Sequence, residues 1–381
     1  MLGQTLVRML LACNSSSLAM FMDLVTPALI NLVLLASKAE NQRQRKSSIS
    51  SDVVTSEPLN RSLSIVSDTD SAADLTVFNS ENLIPSIMDG ILEVVAQRDK
   101  LLFSLYWALS FEIATGHLHS SRRRLVGSYM YKELLTRINE QASSTPSSHG
   151  ILVMDTIMKE LFHCLKLVNS SKDKLTKRKE SFRELLMDKV APYFKPADEE
   201  SLLLSPFDRR VKVLAINCEN CTLFSSSRSP ALIEMRGLPV MRSSNELIES
   251  TNAVAVKLIM KCGDDLRLDH IAILLMSLAN DIFLSVGLQL SVRLYGILPT
   301  AHLEGAVEFV DATPIAGLPN NSIIEFLRRY NYDASGDNLI TDTCRGTFIR
   351  SCAFFCVLAY VLGIGIYCSI IFSRSSYLFL R

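Results

Sequence analysis

Cys218 and Cys221 form the one C-x-x-C pair in this chain, an arrangement that can hold half of a zinc site or a reactive dithiol. A zinc ribbon needs a second ligand pair, and none follows at suitable spacing, so the pair reads as ordinary turn residues. His117 and His119 lie two apart beside Arg122, Arg123 and Arg124. That spacing splits across a helix, and the segment reads as a solvated polar stretch. Lys172, Lys174, Lys177, Arg178 and Lys179 make a dense cationic run, read as a solvated face in preference to a lipid patch. Arg45-Lys46-Ser47-Ser48 and Arg61-Ser62-Leu63-Ser64 fit basophilic kinase substrates, although such short patterns arise by chance in serine-rich stretches.

Composition narrows the setting of these residues. The chain has 381 residues, enough for two or three domains at about 100 to 200 residues each. Thirty-nine basic residues balance thirty-nine acidic ones, so no net field favours nucleic acid, and none is expected as a partner. Apolar residues make up 48% and charged residues 20%, which supports a sizeable core and excludes wholesale disorder. The nine cysteines lack the spacing of a secreted disulfide framework, so a reducing compartment is expected.

Along the chain, residues 2–36 are apolar but interrupted by Arg8, Asp23 and Pro27, as in a hairpin of two packed helices; a signal peptide is the alternative. From Asn41 to about Asp74 the composition turns to Ser, Thr, Asp and basic residues, a disordered insert. Helical spacing resumes near Leu83 and predicts further helices at 101–113, 127–142, 151–168 and 173–190. The pattern changes after Pro206. Strands are predicted at 210–216, 231–235 and 254–260, then a helix over 266–286 headed by Asp264 and Asp265, then strands at 290–294 and 306–310. Helices follow at 322–330 and 347–362. Five strands with one helix after the third is the order of a kinase small lobe. Residues 352–372 carry no charge, which by hydropathy is either a membrane span or a helix enclosed in a core.

The stretch Met260-Lys261-Cys262-Gly263-Asp264-Asp265-Leu266-Arg267-Leu268-Asp269 resembles the F-K-x-G-D-D-L-R-Q-D motif of phosphatidylinositol 3-kinases. Upstream, Arg210 to Met235 is similar to the strand, phosphate loop and strand of that kinase domain, with Thr222-Leu223-Phe224 and Pro230 in register. Downstream, Leu294-Tyr295-Gly296 and Gly305-Ala306-Val307-Glu308-Phe309-Val310 resemble its back-pocket and hinge segments. Ser322 to Tyr330, Ser351-Cys352-Ala353 and Leu105-Tyr106-Trp107 point to the class III, vacuolar-sorting type. The likeness runs to Gly363-Ile364-Gly365.

The resemblance implies an α+β chain: an all-α, solenoid-like helical domain, then a protein-kinase-like small lobe and an incomplete large lobe. Its parts would be a helical fragment (1–40), a serine-rich insert (41–80), a helical domain with linker helices (81–200), the small lobe with its hinge (201–312) and the large-lobe segment (313–381). Phosphoryl transfer is mostly positioning and charge stabilisation, so a strand lysine must reach the ATP phosphates, a role that falls to Lys261. By the same resemblance Ser226 belongs to the phosphate loop, Asp269 and Tyr295 line the inner end of the pocket, and the backbone from Glu308 to Val310 holds adenine.

Departures also stand out. Leu268 and Leu274 replace usual glutamines, and Ser225 replaces the lysine common in the phosphate loop. Where the family has D-R-H-x-x-N, this chain has Ile366, Tyr367, Cys368 and Ile371, and no D-F-G follows. No catalytic residue and no magnesium ligand is therefore expected, although the family uses ATP and Mg. The reading is a partial class III lipid kinase, inactive as written. The alternatives are a pseudokinase-like interaction protein and a tail-anchored membrane protein held through 352–372. Family partners would be a phosphatidylinositol membrane, a regulatory pseudokinase scaffold and a coiled-coil autophagy subunit, at endosomal or vacuolar membranes on the cytoplasmic side.

Overall fold

A computed structural model describes residues 99–119, 121–142, 146–194, 203–243, 246–249, 252–311, 322–330 and 340–364. The expected N-terminal hairpin, the serine-rich insert, the helix from Leu83, and Ile366, Tyr367, Cys368 and Ile371 lie outside the described residues. The chain is α+β, and its described residues divide into two compact units, the first running to Leu152 and including Thr300–His302, the second holding the rest.

The first unit is helical. Helix α1 (Asp99–Ala114) buries Leu105, Tyr106 and Leu109, and α2 (Ser121–Ala142) buries Val126, Met130, Leu134 and Ile138. The four-residue spacing of the α2 stripe places those side chains on one face. Tyr106 meets Trp107 edge to face, with ring centroids 5.7 Å apart. The segment expected to be a solvated polar stretch is in part an internal ion cluster. Glu112 is buried on α1, and its carboxylate accepts from Arg123 Nε at 3.1 Å and lies 3.3 Å from His119 Nε2. Helix α2 starts at Ser121, ahead of the apolar stripe, and so carries Arg123 to that carboxylate. A buried carboxylate left unpaired would carry a large desolvation penalty.

The second unit begins with the remainder of α3 (Pro146–Ser170), which buries Met154, Ile157, Met158, Leu161, Leu165 and Val168 at three- and four-residue spacing. Helix α4 (Leu175–Leu185) follows and continues as a π-helical turn (Leu186–Val190) and a 3₁₀ turn (Ala191–Phe194). The single helix expected over 173–190 is thus α-helical to Leu185 and π-helical to Val190, and the 3₁₀ turn extends it to Phe194.

Seven strands form one sheet: β1 (Val211–Ile216), β2 (Thr222–Leu223), β3 (Ala231–Ser243), β4 (Glu246–Glu249), β5 (Val254–Cys262), β6 (Ile297–Ala301) and β7 (Glu304–Glu308). The spatial order is β1-β3-β5-β7-β6, with β2 and β4 also paired to β3. Helix α5 (Arg267–Ser285) connects β5 to β6. The strand expected over 290–294 is not one. Leu290, Val292 and Leu294 pack against the core in a segment with no strand assignment, and the ladder strand starts at Ile297.

Helix α6 (Ile323–Tyr330) is short, and α7 (Asp342–Val361) is capped by Thr341, whose Oγ1 accepts from Cys344 N at 3.2 Å. One core cluster joins α5, β6 and α7 through Leu266, Ile273, Met276, Ile297, Phe354 and Leu358. By length and composition α5 and α7 are long and apolar enough to cross a membrane.

Candidate functional site

Strand β5 alternates. Leu258 and Met260 are fully buried on one face, and Lys257, Ile259 and Lys261 point to the other. Its antiparallel partner β7 sets Val307 opposite Ile259 and Gly305 opposite Lys261. Val307 packs against the cluster that contains α5, so Lys261 stands on the helix-bearing face of the sheet.

Four residues after β5 the chain turns into α5 through Gly263, Asp264 and Asp265. Gly263 has φ +87°, a left-handed conformation suited to glycine. Asp265 Oδ1 accepts from Arg267 N at 3.1 Å and pairs with that guanidinium, fixing the start of the helix. Lys261 Nζ lies 4.0 Å from Asp264 Oδ2. Asp269 sits in the first turn of α5, where burial raises its carboxyl above the usual range while Lys261 draws it down and Asp264 and Asp265 push it up. Lys261 and Asp269 are therefore brought together. Tyr295 packs against the same core cluster.

Ser226 lies in the turn after β2. Ser229 N donates to its carbonyl at 3.0 Å, and Ser229 Oγ does so at 3.2 Å. From this turn Arg228 reaches the Gly263 carbonyl and the Asp264 carboxylate. Asn169 on α3 holds the turn from behind, its Nδ2 donating to the carbonyls of Arg228 and Ser229 at 3.3 Å each, while Arg178 donates to Asn169 Oδ1 at 2.8 Å. Sequence reading missed this network. Arg228 is the only cation between Phe224 and Pro230 and so gave a usable signal; Asn169 gave none.

At the hinge, Glu308 points to the face opposite Lys261, and its Oε2 accepts from Gly296 N at 2.8 Å. Glu308 N donates to Gly296 O at 2.8 Å, and Phe309 N donates to Lys257 O at 3.0 Å. Val310 is buried at the rim of a cleft of about 470 Å³, which Phe207, Lys257, Arg293, Glu308 and Thr347 also line. Lys261, Asp269 and Tyr295 do not line it, so the hinge cleft and the lysine cluster are two separate parts of this unit.

Of the departures, Leu268 is 68% exposed and needs no polar partner, whereas Leu274 is buried. The C-x-x-C pair is structural. Both thiols are buried, Cys221 Sγ donates to Asn217 O at 3.3 Å, and burial pushes the Cys221 thiol up to about 12. Among the described residues no three His, Cys, Asp or Glu side chains gather to hold a metal ion.

No protein-family model matches the chain. It is 30% identical over 207 residues to the phosphatidylinositol 3-kinase VPS34 of Candida glabrata, covering 54% of this chain and 21% of that protein. It is 32% identical over 193 residues to the root isoform of phosphatidylinositol 3-kinase from Glycine max, covering 50% and 22%. Phosphatidylinositol 3-kinase pik3 of Schizosaccharomyces pombe matches at 27% over 275 residues, covering 68% and 31%.

About half of the chain is thus similar to phosphatidylinositol 3-kinases.

The chain spans between about a fifth and a third of the length of these curated relatives.

Proposed function

We propose that the sheet and α5 form the nucleotide-binding small lobe of a class III phosphatidylinositol 3-kinase. In this reading ATP lies on the helix-bearing face of the sheet. Its phosphates meet Lys261 and the Ser226 turn, and adenine meets the hinge from Glu308 to Val310. The Glu308 and Phe309 N–H groups are used within the unit, so a hinge donor to adenine falls to Val310. The helical residues of 99–194 would be the end of a solenoid-like helical domain with its linker helices. The family reaction passes the γ-phosphate of ATP, with Mg, to the inositol 3-hydroxyl at an endosomal or vacuolar membrane. The chain would act on the cytoplasmic side with a pseudokinase scaffold and a coiled-coil autophagy subunit.

The observation that carries this reading is the placing of Lys261. It is a half-buried strand lysine beside Asp264 and Asp269, on the face that carries α5 and across from the Ser226 turn. Calorimetric titration of the chain with ATP should show binding, and Lys261→Ala should weaken it by about tenfold to a hundredfold, the range of one charge-assisted contact. Equal affinity in the variant would remove Lys261 from the site.

Catalysis is a separate matter. Ile366, Tyr367, Cys368 and Ile371 offer neither a carboxylate base nor a hard oxygen ligand of the kind magnesium prefers. Loss of a general acid or base alone costs on the order of 10² to 10⁴ in rate. The 381-residue chain should therefore bind ATP yet form no phosphatidylinositol 3-phosphate. Radiolabelled lipid product above a no-protein control would overturn this.

A further inference from the structure

The Ser226 turn approaches the lysine cluster through one side chain, Arg228, whose terminal nitrogen meets both the Gly263 carbonyl and Asp264 Oδ1. The other oxygen of the same carboxylate, Oδ2, lies 4.0 Å from Lys261 Nζ. Two cations from two elements thus share one carboxylate, and the Arg228 side chain remains more than half exposed. The turn itself is held in place. Ser229 has φ +40°, its N–H and hydroxyl close on Ser226 O, and Asn169 grips the adjoining carbonyls. The backbone that carries Arg228 is therefore preset before any ligand arrives, and only the long side chain need move.

We propose that Arg228 is the phosphate-reading cation of this loop and that Asp264 is its resting partner, displaced when a nucleotide phosphate takes the position between Arg228 and Lys261. Residue 225, the loop position for a cation in the family pattern, is serine in this chain, and Arg228 restores the charge from three residues further on. A phosphate group offers an arginine fork two parallel acceptors and more charge than a single carboxylate. Asp264 keeps both cations oriented until then, its single negative charge shared between them.

This proposal rests on the nucleotide-site reading above, and the test separates the two. ATP and adenosine are titrated calorimetrically into the full chain, into Arg228→Gln and into Asp264→Asn, at equal magnesium. Arg228→Gln should lose roughly tenfold or more in ATP affinity and keep its adenosine affinity. Asp264→Asn, which removes the competing charge, should bind ATP at least as tightly as the parent. Unchanged ATP affinity in Arg228→Gln, or equal losses for ATP and adenosine, would overturn the proposal and leave the site reading standing. A folded parent that binds neither ligand would overturn both. Should Arg228→Gln fail to fold by circular dichroism, Asp264→Asn decides alone, because weakened ATP binding there makes the pair a structural brace.

Discussion

His270 follows Asp269 on α5 and turns inward, where its Nδ1–H donates to the Ile297 carbonyl at 2.7 Å. Burial holds its pKa below the ordinary 6.5, and the hydrogen bond offsets only part of that. A folded-state value below the unfolded one means stability that is present above 6.5 and is lost as pH falls through the depressed value. Asp269 has the opposite sign, its raised pKa favouring the folded state at low pH, so only a difference between variants isolates the histidine. His270→Asn should flatten the fall of the thermal midpoint on acidification from neutral pH. An unchanged slope would show that His270 does not titrate with unfolding. Lys261 and Asp269 were legible in the sequence because they sit eight residues apart inside one motif. The Arg228 to Asp264 pair was not, because it joins residues 36 apart and exists only once the sheet brings a turn against a turn.

The strands show the same division. Val254 to Met260 alternates, and because both edges of β5 are paired the alternation became a true strand. Leu290 to Leu294 alternates as well, yet alternation reports only which side chains face a core, and a strand also needs a partner. Strand β6 was disguised by Pro299, which weakens any strand assignment from sequence, and by its tight turn to β7, where Leu303 takes φ +60°. The close fit of that hairpin gives an element-scale prediction. A Cβ on Gly305, opposite Lys261, would stand 2.7 Å from both Leu266 Cδ1 and the Leu298 carbonyl oxygen. Backbone cannot yield as a side-chain tip can, so Gly305→Ala should cost about 1–3 kcal/mol in a denaturant titration. A loss under about 0.5 kcal/mol would mean that β6 and α5 relax freely around it.

At the scale of the whole chain, opposite charges balance and no net repulsion keeps copies apart. Helix α7 buries Phe354 and Leu358 but presents Val357, Tyr360 and Val361 outward, with Tyr360 at 89% exposure. Such a face favours self-association or uptake by detergent. The double change Val357→Lys and Val361→Lys should shift light-scattering mass toward the monomer, and an unchanged mass would place the sticky surface elsewhere. Helix existence and the α+β class were readable from spacing, whereas the Glu112 cluster was not, because nothing in a run of histidines and arginines says that a carboxylate one helix earlier lies buried beneath it. The buried thiols have one further use. Desolvation pushes Cys164 and Cys262 to about 11 and Cys221 to about 12, while Cys356 is exposed. Alkylation needs a thiolate that solvent can reach. Cys356 should therefore react at once, and Cys164 and Cys221 only when α3 or the β1–β2 turn opens. Cys164 and Cys221 are thus internal clocks, each timing the local opening of the element that hides it.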